Sequence, residues 1–478
     1  MQQAVDIAVM GGGLAGLCAA LHAASLGTRV IVLEKGSSPA YACNSRMAMG
    51  YMRIGGLDME ADPALLLQTV RRLTLNQASE VLAERLSRDA GSAIGWLRSQ
   101  GVSMIRDRAG ASHASLLAPP APRRPGLDWP GRGADRMLRR LEAQLQSMGG
   151  RVARGSGVTA IEPAGDGFRI EVEDASGRKQ AIHPAAIVIC DGGFQGDPER
   201  VRRYISPAPE SLLARHAGTG CGDGIRLAEA LGAGMTGMDM FYGHVQSRDA
   251  LDRPELWPYP AADLPILGGI AVDRTARRFA DEGLGGIAMA NAIARLDDPL
   301  QAVAIFDARV WEGLARNFII PANPLLVTAG ATVHCATDLA SLAAAAGLPK
   351  KALAETVAQF NAAAVQGHFE GLQHARTTHL HRPDPIEIGP FFAVPLCAGM
   401  TYTMGGIAID GEARVLRSDG SVIDGLFAAG SATGGHEGGP SAGYTGGLAK
   451  ALVFGRQAGI SAARQARTRG EPSLSSKH

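Results

Sequence analysis

Three glycines carry the first chemical signal. Gly11, Gly13 and Gly16 follow an apolar stretch at 6–10 and open a run of small residues at 17–26. A second apolar stretch, 28–33, then ends in Glu34 and Lys35. Strand, glycine turn, helix, strand and terminal acid is the order of a dinucleotide cradle. Gly11 makes the turn, Gly13 admits a pyrophosphate close to the backbone, and Gly16 packs helix on strand. Leu14 and Ala15 stand at the helix N-terminus, whose partial positive charge faces the phosphates. Glu34 would accept from ribose hydroxyls, with Lys35 beside it.

A second set of residues could move protons. His244 lies in FYGHV, His436 and Glu437 in GGHEGG, and Tyr402 and Tyr444 each stand shortly ahead of a glycine pair. A tyrosine of ordinary pKa, about 10, is a poor base near neutrality and needs a neighbouring charge or a helix end. Each residue also has a structural alternative. Tyr402 can pack with its hydroxyl bonded, His244 can be a satisfied core histidine, and His436 with Glu437 can stabilise a loop as readily as carry a proton. Arg46 and Arg53 could bind a carboxylate, whereas Arg376, His379, His381 and Arg382 read as a solvated basic face. The methionine-rich stretch 47–52 reads as packing.

The elements that must position these groups can be read from periodicity. Residues 62–100 are helical in pattern, 108–133 a Pro-, Gly- and Arg-rich loop, and 133–148 an amphipathic helix. Short strands at 152–153, 157–161, 168–173 and 180–183 suggest a meander. A buried strand at 187–189 then runs into Cys190, Asp191, Gly192 and Gly193. Asp223 is a plausible N-cap for a helix at 224–231. Residues 239–375 mix Pro-rich loops with Ala-rich helices and read as an insertion. Strand and glycine-turn patterns return near Pro390, and a last helix covers 448–466. A nicotinamide dehydrogenase would repeat its βαβ unit early. This chain offers the meander instead, and a second glycine-rich set near its C-terminus.

Composition narrows the partners. The 478 residues suffice for two or three domains, and 47 Lys+Arg against 46 Asp+Glu gives no patch for nucleic acid or an anionic membrane. The 62 glycines fall in clusters, as ligand-approaching loops require. Six scattered cysteines without a CxxC pair read as reduced thiols of a cytoplasmic enzyme, with no metal or Fe–S site. Residues 1–6 are too short for a signal peptide, and no apolar run is long enough to span a membrane.

Four motifs together resemble the flavoprotein superfamily of fumarate reductase, succinate dehydrogenase and 3-ketosteroid dehydrogenase. They are MGGGLAG…LEK (10–35), CNSRMAMG (43–50), IVICDGGF (187–194) and TMGGIAID…GLFAAGS…YTGGLAKALVFGR (403–456). The resemblance implies an α/β Rossmann-like FAD domain in two segments, 1–238 and 381–478, with a capping domain at 239–380 between them. It implies that Asn44, Ser45, Met49 and Gly50 line pyrophosphate and flavin, with Val158, Asp191, Gly192 and Asp223 near the cofactor. Gly430 and Ser431 stand where the family has AAGE. The helix start Gly446-Gly447-Leu448-Ala449 would face the flavin pyrimidine edge. No histidine occurs at 43–50, so FAD is expected to be held non-covalently.

Departures from the fumarate reductase pattern point to the substrate. His244 matches that group's first catalytic histidine, and RRFADE (277–282) matches the run before its proton-donating arginine, whose place falls at or beside Gly286. Tyr402 stands where the second histidine would be, and Tyr444 where an arginine would clamp a dicarboxylate. Tyrosines in these places resemble 3-ketosteroid and tricarballylate dehydrogenases. The expected reaction is therefore α,β-desaturation of a small carbonyl or carboxylate compound. Tyr444 or Tyr402 would be base or oxyanion donor, His244 would orient the substrate, and an external acceptor would take the electrons. An ene-reductase fed by an external donor, or a flavin-binding subunit with a decayed site, are the alternatives.

Overall fold

The computed structural model describes residues 5–107 and 114–470. Residues 1–4, the part of the expected loop at 108–113, and the chain beyond 470 lie outside the described residues. One six-stranded sheet has the spatial order Arg414–Leu416, Val422–Ala428, Ala186–Ile189, Ile7–Met10, Val30–Glu34, Arg151–Arg154. Its inner pairings are parallel, with Ile7 opposite Val30 on one side and Ala186 on the other. Strands covered on both faces must be apolar throughout, as IAVM and AIVI are. Ile7, Val9, Ile187 and Val188 are wholly buried, each contributing roughly 1.5–3 kcal/mol by leaving water. Arg151–Arg154 joins this sheet rather than the meander, because the helix Gly133–Ser147 carries the chain back to lie parallel beside Val30–Glu34. The meander keeps three strands, Ser156–Ala164, Gly167–Asp174 and Lys179–Ile182.

Two helices close one face and fix the site. Leu14–Ser25 packs along Gly447–Gly470, the last helix of the chain. A Cβ on Gly455 would lie 2.5 Å from the Ala15 carbonyl oxygen, and one on Gly459 2.2 Å from that of Ala19. Only glycine allows this approach. It brings the starts of both helices, from opposite ends of the sequence, to one cavity. The helical stretch expected at 62–100 is two helices, Pro63–Thr74 and Glu80–Ser99, broken where Leu75 and Asn76 turn to positive φ.

The second sheet is built on one strand, Phe391–Thr403. It pairs antiparallel with Phe241–Ser247 at one end and with Val303–Asp307 at the other. Leu213–Ala214, Ile270–Val272 and His334–Ala336 complete the sheet. It therefore runs past both edges, 239 and 380, expected for an inserted cap. Its spine reads as a return to the first domain only because apolar β pattern does not say which sheet a strand joins. Among the described residues no helix is long and apolar enough to cross a membrane.

Candidate active site

A cleft of about 2100 Å³, solvent at its mouth included, lies where the glycine turn meets the second sheet. At the turn, Gly11 has φ +92°, and a Cβ there would stand 2.7 Å from Asp191 Cα. Gly16 lies behind the cleft wall, where a Cβ would meet the Gly11 carbonyl oxygen, so its part is packing. Gly13, Leu14 and Ala15 line the cleft, and Ser45 Oγ accepts the Leu14 N–H at 3.1 Å. Glu34 lines it as well, its two oxygens accepting the N–H groups of Gly12 (2.8 Å) and Gly36 (2.7 Å).

Asp223 does not cap its helix as expected. Gly222 holds that place in a left-handed conformation, and Asp223 is the first helical residue of Asp223–Ala230. Its carboxylate is 3.0 Å from Lys35 Nζ instead. Asp191 accepts the Gly224 N–H on Oδ2 at 2.7 Å, while its buried Oδ1 has no partner among the described residues. Burial pushes the Asp191 carboxyl up to about 7. Asn44 ties two parts of the wall together, donating to the Thr401 carbonyl (2.8 Å) and accepting from the Ala217 N–H (2.9 Å). Met49, Gly50, Val158, Gly192, Gly430, Ser431, Gly447 and Leu448 also line the cleft, whereas Gly446 and Ala449 sit behind it. A glycine cradle no side chain could share, a helix N-terminus and an unpartnered acceptor at Asp191 together fit a dinucleotide.

Three tyrosines gather at the other end. Tyr242 stacks on Tyr444, centroids 3.9 Å apart and planes at 15°, and Tyr402 lies 5.4 Å from Tyr242. Tyr242 and His244 alternate along Phe241–Ser247 and so share a face of that strand. The Tyr242 hydroxyl is 3.1 Å from His244 Nε2, and His244 Nδ1 is 2.5 Å from Asp263 Oδ2. Asp263 also accepts the Val245 N–H at 2.9 Å, so its carboxylate is fixed by the same strand. His244 is thus one residue removed from the cleft lining and reached through Tyr242. Burial lowers its pKa despite Asp263. A Cβ on Gly286 would fall 2.0 Å from Asp263 Cγ, so a carboxylate occupies the space where the family's arginine would start.

Tyr444 accepts the Gly447 N–H at 3.0 Å, at the start of the last helix, and its own proton has no acceptor among the described residues. Burial raises it to about 12, against the opposing pull of that N–H and of Arg53. Tyr402 donates to Glu437 Oε2 at 2.8 Å, and Lys450 Nζ reaches the same oxygen at 2.6 Å. Burial first and the Glu437 charge second hold the Tyr402 hydroxyl far above 10. Tyr402 is therefore held as a donor to Glu437.

His436 does not reach the cleft. It is 2% exposed, edge-on to Phe454 at 4.4 Å, with Nε2 3.2 Å from Thr433 Oγ1. Arg46 is sealed against Asp135, and Arg376 is buried on Glu282 rather than part of a solvated face. Arg53 does line the cleft. Tyr242, Asp263, Arg215 and Lys450 belong to the site and were not singled out from sequence. Tyr242 could have been found from its period-2 spacing to His244, and Lys450 as the one charge in the apolar opening of the last helix, 447–455.

Comparison with known proteins identifies the family. Residues 6–446 match the family described as FAD binding domain. The chain is 28% identical to an NADH:fumarate oxidoreductase of Klebsiella pneumoniae over 97% of its own length, and spans 48% of that protein. It is 29% identical to a 4-oxocyclohexanecarboxylate 2-dehydrogenase of Sinomonas cyclohexanicum, over 96% of this chain and 93% of the relative. The fold is shared with a solved 3-ketosteroid-Δ4-(5α)-dehydrogenase of Rhodococcus jostii, at a TM-score of 0.72 and 22% identity over 97% of each chain.

Proposed function

The chain belongs to the FAD binding domain family, and from that membership we propose that it desaturates a small cyclic ketone between the carbons α and β to the carbonyl. The observation that carries this reading is the different bonding of two stacked tyrosines. Tyr444 has its oxygen engaged by the Gly447 N–H and its proton unclaimed, so it donates to the substrate carbonyl oxygen as enolate charge develops. Tyr242 has the opposite arrangement. With Nδ1–H of His244 bonded to Asp263, Nε2 accepts the Tyr242 proton. As Tyr242 takes the α-proton of the substrate, its own proton passes to His244, and Asp263 stabilises the imidazolium. Bound FAD supplies the acceptor for the hydride leaving the β-carbon.

In this reading Gly11, Gly13, Leu14, Ala15, Glu34, Ser45, Asp191, Gly192 and Asp223 hold the dinucleotide without a covalent bond. Gly447 and Leu448 place a helix N-terminus toward the flavin. The body built on Phe391–Thr403 caps the substrate. A separate electron acceptor regenerates the enzyme, which works in the cytoplasm with its six cysteines unpaired. The relative that acts on 4-oxocyclohexanecarboxylate supports a cyclic ketone. The complete Tyr242–His244–Asp263 chain argues against a decayed site. Anaerobic mixing of the yellow protein with cyclohexanone and 4-oxocyclohexanecarboxylate tests it. Flavin bleaching with formation of the enone supports the proposal; bleaching by succinate alone sinks it.

A further inference from the structure

Charge balance inside the protein marks a second recognition element. Five cationic side chains are buried among the described residues: Arg46, Arg215, Arg278, Arg376 and Lys450. Four have a carboxylate, Arg46 on Asp135, Arg278 and Arg376 on Glu282, and Lys450 on Glu437. Arg215, 7% exposed, has none among the described residues. Its Nη1 donates to Thr401 Oγ1 at 2.9 Å and its Nε to the Pro258 carbonyl at 3.3 Å, while the guanidinium lies 5.1 Å over the Tyr259 ring. These contacts fix the group in place without neutralising it. Nη2 has no acceptor among the described residues, and the side chain lines the cleft. A buried charge left without a counterion is costly, and an anionic ligand removes that cost. Arg53 lines the same cleft and also has no acid partner among the described residues.

Resting on the reading above, we propose that Arg215, with Arg53 lining the same cleft, binds a carboxylate of the substrate, so that the compound oxidised is a keto acid and not a neutral ketone. The position favours substrate over dinucleotide phosphate. Arg215 is bonded to Thr401, next to Tyr402, and lies over Tyr259, whose ring is 6.1 Å from His244, whereas the cation beside the glycine turn is Lys35, paired with Asp223. A planar guanidinium fork suits a carboxylate held at a set distance from the ketone. The fumarate-type clamp is absent, with Tyr444 in its place, so the anion is gripped from a different wall.

The test uses the FAD-loaded enzyme and matched probes, 4-oxocyclohexanecarboxylate and its methyl ester, with binding read from perturbation of the flavin spectrum. The acid binds the wild-type enzyme on the order of 100-fold more tightly than the ester. Arg215→Gln removes that difference by weakening the acid alone, Arg215→Lys restores part of it, and FAD content is unchanged in both. Equal binding of acid and ester, no binding of the acid, or equal weakening of both in the variant overturns the proposal. Loss of FAD from the variant also overturns it, by assigning the guanidinium to the dinucleotide. An acid that binds through Arg215 without bleaching the flavin contradicts the desaturation reading and leaves only the Arg215–carboxylate contact standing. Bleaching by neutral ketones with no preference for the acid does the reverse.

Discussion

Tyr242 and Tyr444 stack face to face at 3.9 Å, yet their hydroxyls are bonded in opposite senses. The Tyr242 hydroxyl hydrogen-bonds to His244 Nε2, and the Tyr444 oxygen accepts the Gly447 N–H. In the proposed reaction the pair would divide proton removal and carbonyl polarisation between two residues of the same type.

Replacing Tyr444 with Phe removes the hydroxyl that would meet the enolate oxygen. The expected loss in the rate of flavin reduction is about 10²–10³-fold, the range for one oxyanion donor. Rapid-mixing reduction with a ketone measures it. A loss in affinity with no loss in rate would place Tyr444 in binding alone.

Asp263 fixes which nitrogen of His244 carries the proton. In Asp263→Asn that preference is lost, and proton removal slows by about 100-fold or more while FAD stays bound. Wild-type rates in this variant would show that His244 only packs.

The pH profile follows from His244. The relay needs the neutral imidazole, and burial lowers its pKa from the ordinary 6.5, with Arg215 adding to the shift. A base is active above its folded pKa, so the active form persists below pH 6.5 and is lost only as pH falls through the lowered value. The rate of flavin reduction should be flat across neutrality with its acid limb under about 6.5. An acid limb near 7 or above would remove His244 from the relay.

Glu437 and Lys450 are both fully buried and meet at 2.6 Å. Lys450→Met leaves an uncompensated carboxylate under Tyr402, at a cost of about 3–5 kcal/mol read from thermal or denaturant unfolding. Adding Glu437→Gln should recover much of this, because the buried charge goes with it. Additive losses in the double variant would contradict a coupled pair.

How far the sequence led depends on whether a feature is local. Gly11, Gly13, Gly16 and Glu34 are legible because one βαβ unit contains the whole cradle. Tyr402 and Tyr444 are legible as replacements within short motifs. Asp263 and Arg215 are not, because nothing near them in sequence marks them. Asp263 meets His244 through the short helix Asp263–Gly268 packed on Phe241–Ser247, and Arg215 reaches the cleft through its pairing beside Met400. Both depend on Phe391–Thr403, a strand whose apolar pattern does not reveal its sheet. His436 misleads because a histidine between glycines beside a flavin motif resembles an exposed acid–base group. Here it packs against Phe454 in a wholly buried setting, which holds its pKa well below 6.5.

The most direct test of the central claim is flavin reduction in Tyr242→Phe, mixed anaerobically with 4-oxocyclohexanecarboxylate carrying hydrogen or deuterium at the α-carbon. The account predicts FAD content and ligand binding close to wild type, with the rate of bleaching down by about 10²–10⁴-fold and a larger α-deuterium effect. Bleaching at the wild-type rate with an unchanged isotope effect would mean that the proton leaves by another route, and that Tyr242 is not the base.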